Sequence, residues 1–340
     1  MNRHGNLWQK IISSENINLA YEKAKSGKGH YRDVKMIETD SDKYLKKLQR
    51  NLVKGRFTTS PYTKEIRQEG GKLREIHKLP FYPDRIVQHA LMNELGPILR
   101  NSMIRDTFQS FKGRGTSDCR RRIQKLTKTK ACPYYAAKVD IRKFYQSVDN
   151  NILKQKLRTK VKCPQTLSLI DNIVDSIQGL PIGNLTSQDF GNFYLNSLDW
   201  DIKQNFKPAG YYRYCDDIVV FSDSKKELRE IVSHISAVCD SLSVPIKPNW
   251  EIVDVYKQGI DFIGFVFKHN RTMLRKNLAM NFSKTVKESP VSVKTLRQLM
   301  AYKGWFKHSN SYSLWSEMIT ESYSNKFTGF FNENPLRAYP

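Results

Sequence analysis

Apolar residues recur at helical spacing through residues 1–60, as in Leu19-Ala20-Tyr21 and Tyr44-Leu45-Lys46-Lys47-Leu48, with Gly27–Gly29 between them. The period then changes. Tyr62–Gln68 and Leu73–Leu79 read as two strands of a hairpin, with Glu69-Gly70-Gly71 as the turn. Pro80 and Pro83 precede a helix that starts near Asp84. An apolar strand at 134–139 runs into an aromatic turn, and residues 165–178 and 186–204 are helical by pattern. Residues 211–222 predict two strand segments around Cys215-Asp216-Asp217. Lys225–Leu242 is an amphipathic helix, residues 251–256 and 260–267 are strand-like, and residues 280–330 predict a helical segment with Leu296, Leu299, Met300 and Trp305 on one face. Helices and strands are thus mixed along the chain, without repeats or low-complexity linkers.

Charge changes this picture most. The 340 residues carry 57 Lys+Arg against 33 Asp+Glu, a formal net charge of +24. Such a surface repels itself unless a polyanion is near, and nucleic acid is the commonest polyanion; an anionic membrane or a structural RNA is the alternative. The cations are concentrated. Residues 111–130 include Lys112, Arg114, Arg120 and Arg121, with Asp118 as the lone acid, so this segment is expected to contact phosphate. Residues 268–307 hold ten Lys/Arg, among them Lys294, Arg297 and Lys303, against Glu288. No apolar run approaches the roughly 20 residues that span a bilayer. The five cysteines are scattered and form no C-x-x-C pair, which argues against disulfide and zinc frameworks and suits a reducing cytoplasm.

The acids supply the chemistry. Phosphoryl transfer to a 3′-hydroxyl uses two divalent cations about 3.5–4 Å apart, held by carboxylates. Asp216-Asp217 lies between two apolar strands, and Asp140 ends another, 76 positions earlier. Either alone reads equally well as a turn aspartate.

Together the segments resemble reverse transcriptases. Asp140-Ile-Arg-Lys-Phe-Tyr-Gln-Ser-Val148 resembles motif A and Tyr214-Cys-Asp-Asp217 resembles motif C. Leu180-Pro-Ile-Gly-Asn-Leu-Thr-Ser-Gln188 resembles motif B, Leu73–Ile76 with Asp84–Gln88 resembles the fingers motifs, and Phe262–Phe265 resembles the segment near the primer grip. Pro181-Ile182-Gly183 followed by Ser187-Gln188, in place of the common Pro-Gln-Gly, is similar to the enzymes of diversity-generating retroelements. So is the opening Gly5-Asn6-Leu7 with Glu15-Asn16.

The resemblance implies an α+β right-hand polymerase fold: fingers and palm over residues 1–270 and a basic helical thumb over 271–340. It implies RNA-directed DNA synthesis, error-prone opposite adenine, in a bacterial or phage-encoded cytoplasmic protein. Asp140 and Asp216 would ligate two Mg²⁺ ions (Mn²⁺ may replace them in such enzymes), joined by the Ile141 carbonyl and more weakly by Asp217. Tyr145 would exclude a 2′-hydroxyl. Ile182 and Gly183 would line the nascent base pair, with Gln188 nearby, and loss of an amide at Ile182 gives a physical route to low fidelity. Lys72 and Arg74 would hold the triphosphate, with Arg67 competing, while Lys247 matches the family's general acid poorly. The implied partners are template RNA, the RNA/cDNA duplex, deoxynucleoside triphosphates and a small basic helical-bundle accessory protein. Rival readings are a defence-associated or retron-type enzyme with its own non-coding RNA, and an RNA-binding scaffold with an inactive polymerase fold.

Overall fold

The computed structural model describes residues 3–69, 71–109, 111–289 and 292–319. Gly70 of the expected hairpin turn, the side chain of Lys72, and residues 320–340 of the expected C-terminal segment lie outside the described residues.

The N-terminal residues form helices α1 (Leu7–Ile11), α2 (Ser14–Lys25), α3 (Arg32–Glu38) and α4 (Ser41–Val53). Ser13 and Asp40 cap α2 and α4 by accepting backbone N–H bonds from Asn16 and Lys43, satisfying donors a helix start leaves open. Strands β1 (Thr63–Glu69) and β2 (Lys72–Lys78) form the expected hairpin. A π-type turn at Phe81–Arg85 leads into α5 (Ile86–Asn101), which packs on α2.

The chain continues through β3 (Thr107–Phe108), α6 (Thr116–Thr127), β4 (Tyr135–Asp140), α7 (Phe144–Ser147), α8 (Asn150–Arg158) and α9 (Pro164–Val174). Helix α8 went unread because its apolar signal is short. Asp149 caps it through the N–H groups of Asn151 and Ile152, and Leu153 and Leu157 bury one face. The helix expected over 186–204 is two, α10 (Leu185–Tyr194) and α11 (Asn196–Asp201), joined at Leu195, where the backbone leaves helical geometry.

Then come β5 (Gly210–Tyr214), β6 (Asp217–Ser222), α12 (Lys225–Ser241), β7 (Glu251–Asp254), β8 (Ile260–Phe262), β9 (Phe265–Lys268) and β10 (Arg271–Leu274). The single strand expected over 260–267 is broken because Ile263 and Gly264 both sit at positive φ. Helices α13 (Lys276–Glu288), α14 (Val293–Lys307) and α15 (Tyr312–Met318) complete the described chain.

A five-stranded sheet in the order β3-β5-β6-β4-β7 is the centre of the molecule, and all its pairings but β3–β5 are antiparallel. Side chains alternate across it. Ala137, Val139, Tyr211, Ile218 and Val220 face a core shared with the N-terminal helices and α8–α12. Ala136, Tyr212, Val219 and Phe221 face a second core, completed by Phe262, Phe267, Phe282, Leu299, Phe306 and Trp315. On α14, Leu296 and Leu299 are buried while Lys294, Arg297 and Lys303 are exposed, as their spacing predicts. Among the described residues no helix is long and apolar enough to cross a membrane. All five cysteines are free and buried.

Candidate active site

β5 and β6 are joined by the two residues Cys215-Asp216, and Cys215 takes φ +59° to make the turn. The turn is held from beneath. The guanidinium of Arg213 is fully buried and pairs with Asp199, which also accepts from Tyr211 and Thr107. One Arg213 nitrogen donates to the Cys215 carbonyl at 2.8 Å. A buried charge pair of this kind is costly unless fully hydrogen-bonded, and here it is.

The register of β4 on β6 sets Asp140 directly opposite Asp217, and Tyr214 pairs with Asp217 from the other side. Residues directly opposite on antiparallel strands share a face, with Cβ atoms about 4.5–5.5 Å apart. Asp216 occupies the adjoining turn. Like charges so placed repel without a cation between them. Burial, with the Asp216 charge beside it, pushes the Asp217 carboxyl up to about 6. Burial, with Asp140 beside it, also raises Asp216. Lys247 supplies one cation: its backbone N–H donates to the Asp140 carbonyl at 2.8 Å and its ammonium to the Asp140 carboxylate at 2.5 Å. Ile141 is buried at the end of β4, bridged to Ile246 by bonds that leave the Ile141 carbonyl unused.

Among the described residues no three His, Cys, Asp or Glu side chains are gathered into a ready-made metal centre. The three aspartates nonetheless suit a hard divalent cation that takes part of its coordination from substrate and water. They are oxygen donors whose negative charge exceeds the positive charge of Lys247, gathered where the inner strands β4 and β6 meet the β5–β6 turn.

A cavity of about 500 Å³ opens beside these acids. Asp216, Asp217, Tyr145, Ile182, Gly183, Gln188 and Arg74 line it, together with Arg85, His89, Gln109 and Asn184, which sequence reading missed. The Tyr145 hydroxyl lies 3.0 Å from the Cys215 sulfur, fixing the ring beside the acidic turn. Burial lowers the His89 imidazole to about 4, assisted by Arg85, Lys28 and Lys23, so it is neutral at pH 7. The loop before α10 docks on the hairpin. The His77 N–H donates to the Ile182 carbonyl at 2.8 Å, and Gly183 takes φ +122° with its missing Cβ only 2.7 Å from the His77 carbonyl oxygen. Asn184 donates to Tyr62 at 2.8 Å from the other side. These tertiary partners have no local sequence signature.

The remaining expected contacts lie elsewhere. Lys112 is exposed in the loop before α6. Arg114 stacks over Phe111, its guanidinium 5.4 Å from the ring centre, and donates to the Ile104 carbonyl. Arg120 donates to Gln124 and lines a small cavity with Trp305 and His308. Arg121 pairs with Asp118, which is also held by Arg105.

A family model described as reverse transcriptase (RNA-dependent DNA polymerase) matches residues 66–267, more than half of the chain. Among solved structures, apo telomerase from Candida tropicalis aligns with a TM-score of 0.50 at 13% identity, over 85% of this chain and 66% of that one. Telomerase from the same organism in complex with the TWJ fragment of telomeric RNA aligns with a TM-score of 0.50 at 12% identity, over 81% and 58%. At these identities the likeness establishes the fold, an α+β polymerase fold. The chain spans 58% to 66% of the length of the solved chains it matches. No curated protein matches the sequence. The aspartates, their register and the matched span agree, and the chain belongs to the reverse transcriptase (RNA-dependent DNA polymerase) family.

Proposed function

We propose that this protein is an RNA-directed DNA polymerase that copies a template RNA into cDNA. The observation that carries the reading is the register placing Asp140 opposite Asp217, with Asp216 in the adjoining turn and a 500 Å³ cavity alongside. Asp140 and Asp216, with the Ile141 carbonyl and Asp217 in support, would hold two Mg²⁺ ions, or Mn²⁺ in their place. Bound there, the ions supply positive charge to the attacking and leaving oxygens. The protein's own groups do the positioning. The Tyr145 ring lines the cavity beside the acidic turn, where by resemblance it would exclude a 2′-hydroxyl and favour deoxynucleoside triphosphates. Arg74, with Lys72 on the same strand, suits the triphosphate, because a guanidinium binds phosphate oxygens in pairs. Ile182 and Gly183 border the nascent base pair, where an isoleucine offers no amide to read pairing errors.

The motif around Ile182, with Ser187-Gln188, supports a place in a diversity-generating retroelement, with error-prone copying of a template RNA and a small basic accessory protein. Residues 1–270 would be fingers and palm and residues 271–340 the thumb. Lys294, Arg297 and Lys303 would contact the duplex backbone without regard to sequence.

Primer extension on primed RNA templates with Mg²⁺ tests the reading. Wild-type protein incorporates deoxynucleotides and the Asp216→Ala variant incorporates none. A wild type that extends no primer on any of several templates would sink it.

A further inference from the structure

At the end of the sheet remote from the acids, three aromatic side chains form a ladder. Tyr134 stacks on Tyr256 with ring centres 5.0 Å apart, and Tyr256 stacks on His269 at 4.6 Å. Tyr134 immediately precedes β4, whereas Asp140 ends it. The ladder is therefore about 17 Å or more from the acids, at about 3.3 Å per residue.

The ladder is built rather than incidental. The Tyr256 hydroxyl donates to the Cys132 carbonyl at 3.0 Å. The Tyr134 N–H donates to the Asp223 carboxylate at 2.9 Å, and the Tyr256 and Lys257 N–H groups donate to Asp254. Backbone bonds tie Val255 to Tyr134 and His269 to Val255. The rings are thus oriented before any ligand arrives, which lowers the entropy lost on binding. Yet the outer ring is open: Tyr134 is 57% exposed and Tyr256 37%. The exposed Lys257, next to Tyr256 in the chain, and the half-buried Lys268, next to His269, flank it, while Asp223 and Asp254 accept backbone N–H bonds from the loops that hold the rings.

We propose that this ladder is a second nucleic-acid site, on which unpaired bases of a single-stranded RNA segment continue the stack from Tyr134 while the lysines meet its phosphates. Stacking is tolerant of sequence because every base has a π-face. The proposal rests on RNA being the partner of this chain and not on catalysis at Asp140.

Fluorescence anisotropy of a short labelled oligouridylate with the full chain tests it. Tyr134→Ala weakens binding about 5- to 150-fold, the range for losing one base–aromatic stack. Tyr134→Trp, which keeps a ring, binds like wild type, and Lys257→Ala makes the salt dependence shallower. Equal binding by wild type and Tyr134→Ala would overturn the proposal. So would a Trp variant as weak as the Ala variant. Extension of a fully paired primer–template is unchanged in Tyr134→Ala; its loss in step with oligouridylate binding would place Tyr134 in the catalytic path and end the idea of a separate site. A wild type that extends no primer, yet binds oligouridylate through Tyr134, would defeat the polymerase reading alone.

Discussion

Asp217 is the residue at which folding and chemistry conflict most directly. Its folded carboxyl titrates near 6, above an ordinary value of 3.8, because burial and Asp216 disfavour its charge. Between about pH 4 and pH 6 the folded, metal-free protein therefore binds more protons than the unfolded chain, and this residue makes stability fall as pH rises through that window. In Asp217→Asn the effect is absent. The variant and wild type should melt at similar temperatures near pH 4, and the variant should gain on the order of 2 kcal/mol relative to wild type by pH 7. Added Mg²⁺ should narrow the gap by stabilising wild type more. Thermal melts across the pH range check this, and a gap that stays constant with pH would refute it.

The aspartates were legible because acids interrupting apolar strands stand out. His89 and Gln109 were not, since only tertiary folding brings them to the cavity, while Arg85 and Asn184 lie inside the segments that resemble family motifs but were not singled out. Charge counting within the basic segment before β4 also left out the acids that folding brings to it. Arg122 pairs with Asp106, which lies outside that segment, and Arg121 spends its charge on Asp118.

Among the elements, the loop before α10 depends on a small residue. A Cβ at Gly183 would meet the His77 carbonyl oxygen at 2.7 Å, in a backbone conformation with φ +122° that side chains avoid. Gly183→Ala is expected to cost about 1–3 kcal/mol and to loosen the loop from β2. Chemical denaturation measures the first effect. Primer extension measures the second, as a rate loss larger than the unfolded fraction explains. Wild-type stability in this variant would show that the loop is not clamped as described. The hairpin β1–β2 and helix α12 were readable from period and turn residues. The break between β8 and β9 was missed, because the one cue to it is Gly264, and Ile263, also at positive φ, is a residue type that carries no turn signal.

At the scale of the whole molecule, the two cores share the central sheet, and the second reaches from Phe108 to Trp315. The C-terminal helices are thus part of what covers the sheet. A chain ending at residue 270 would lose Leu274, Phe282, Leu296, Leu299, Phe306 and Trp315 from that core. At about 1.5–3 kcal/mol for each large buried side chain, the loss of about 9–18 kcal/mol is comparable to the whole stability of a typical domain, about 5–15 kcal/mol. Such a truncation should expose dye-binding apolar surface and show no cooperative melt near that of the full chain. A sharp, wild-type-like calorimetric transition would contradict this. The near-continuous apolar runs of β4 and β6 suit a sheet buried on both faces, but they do not show which segment covers the second face.

The bond between His77 and Ile182 has a mechanical meaning. It ties β2, the strand that carries Arg74, to the Ile182 peptide across the cavity wall. Under the proposed function, a shift of the hairpin toward a bound triphosphate would pull on the peptide proposed to border the base pair, so a substitution in the hairpin would be felt at a site it does not touch.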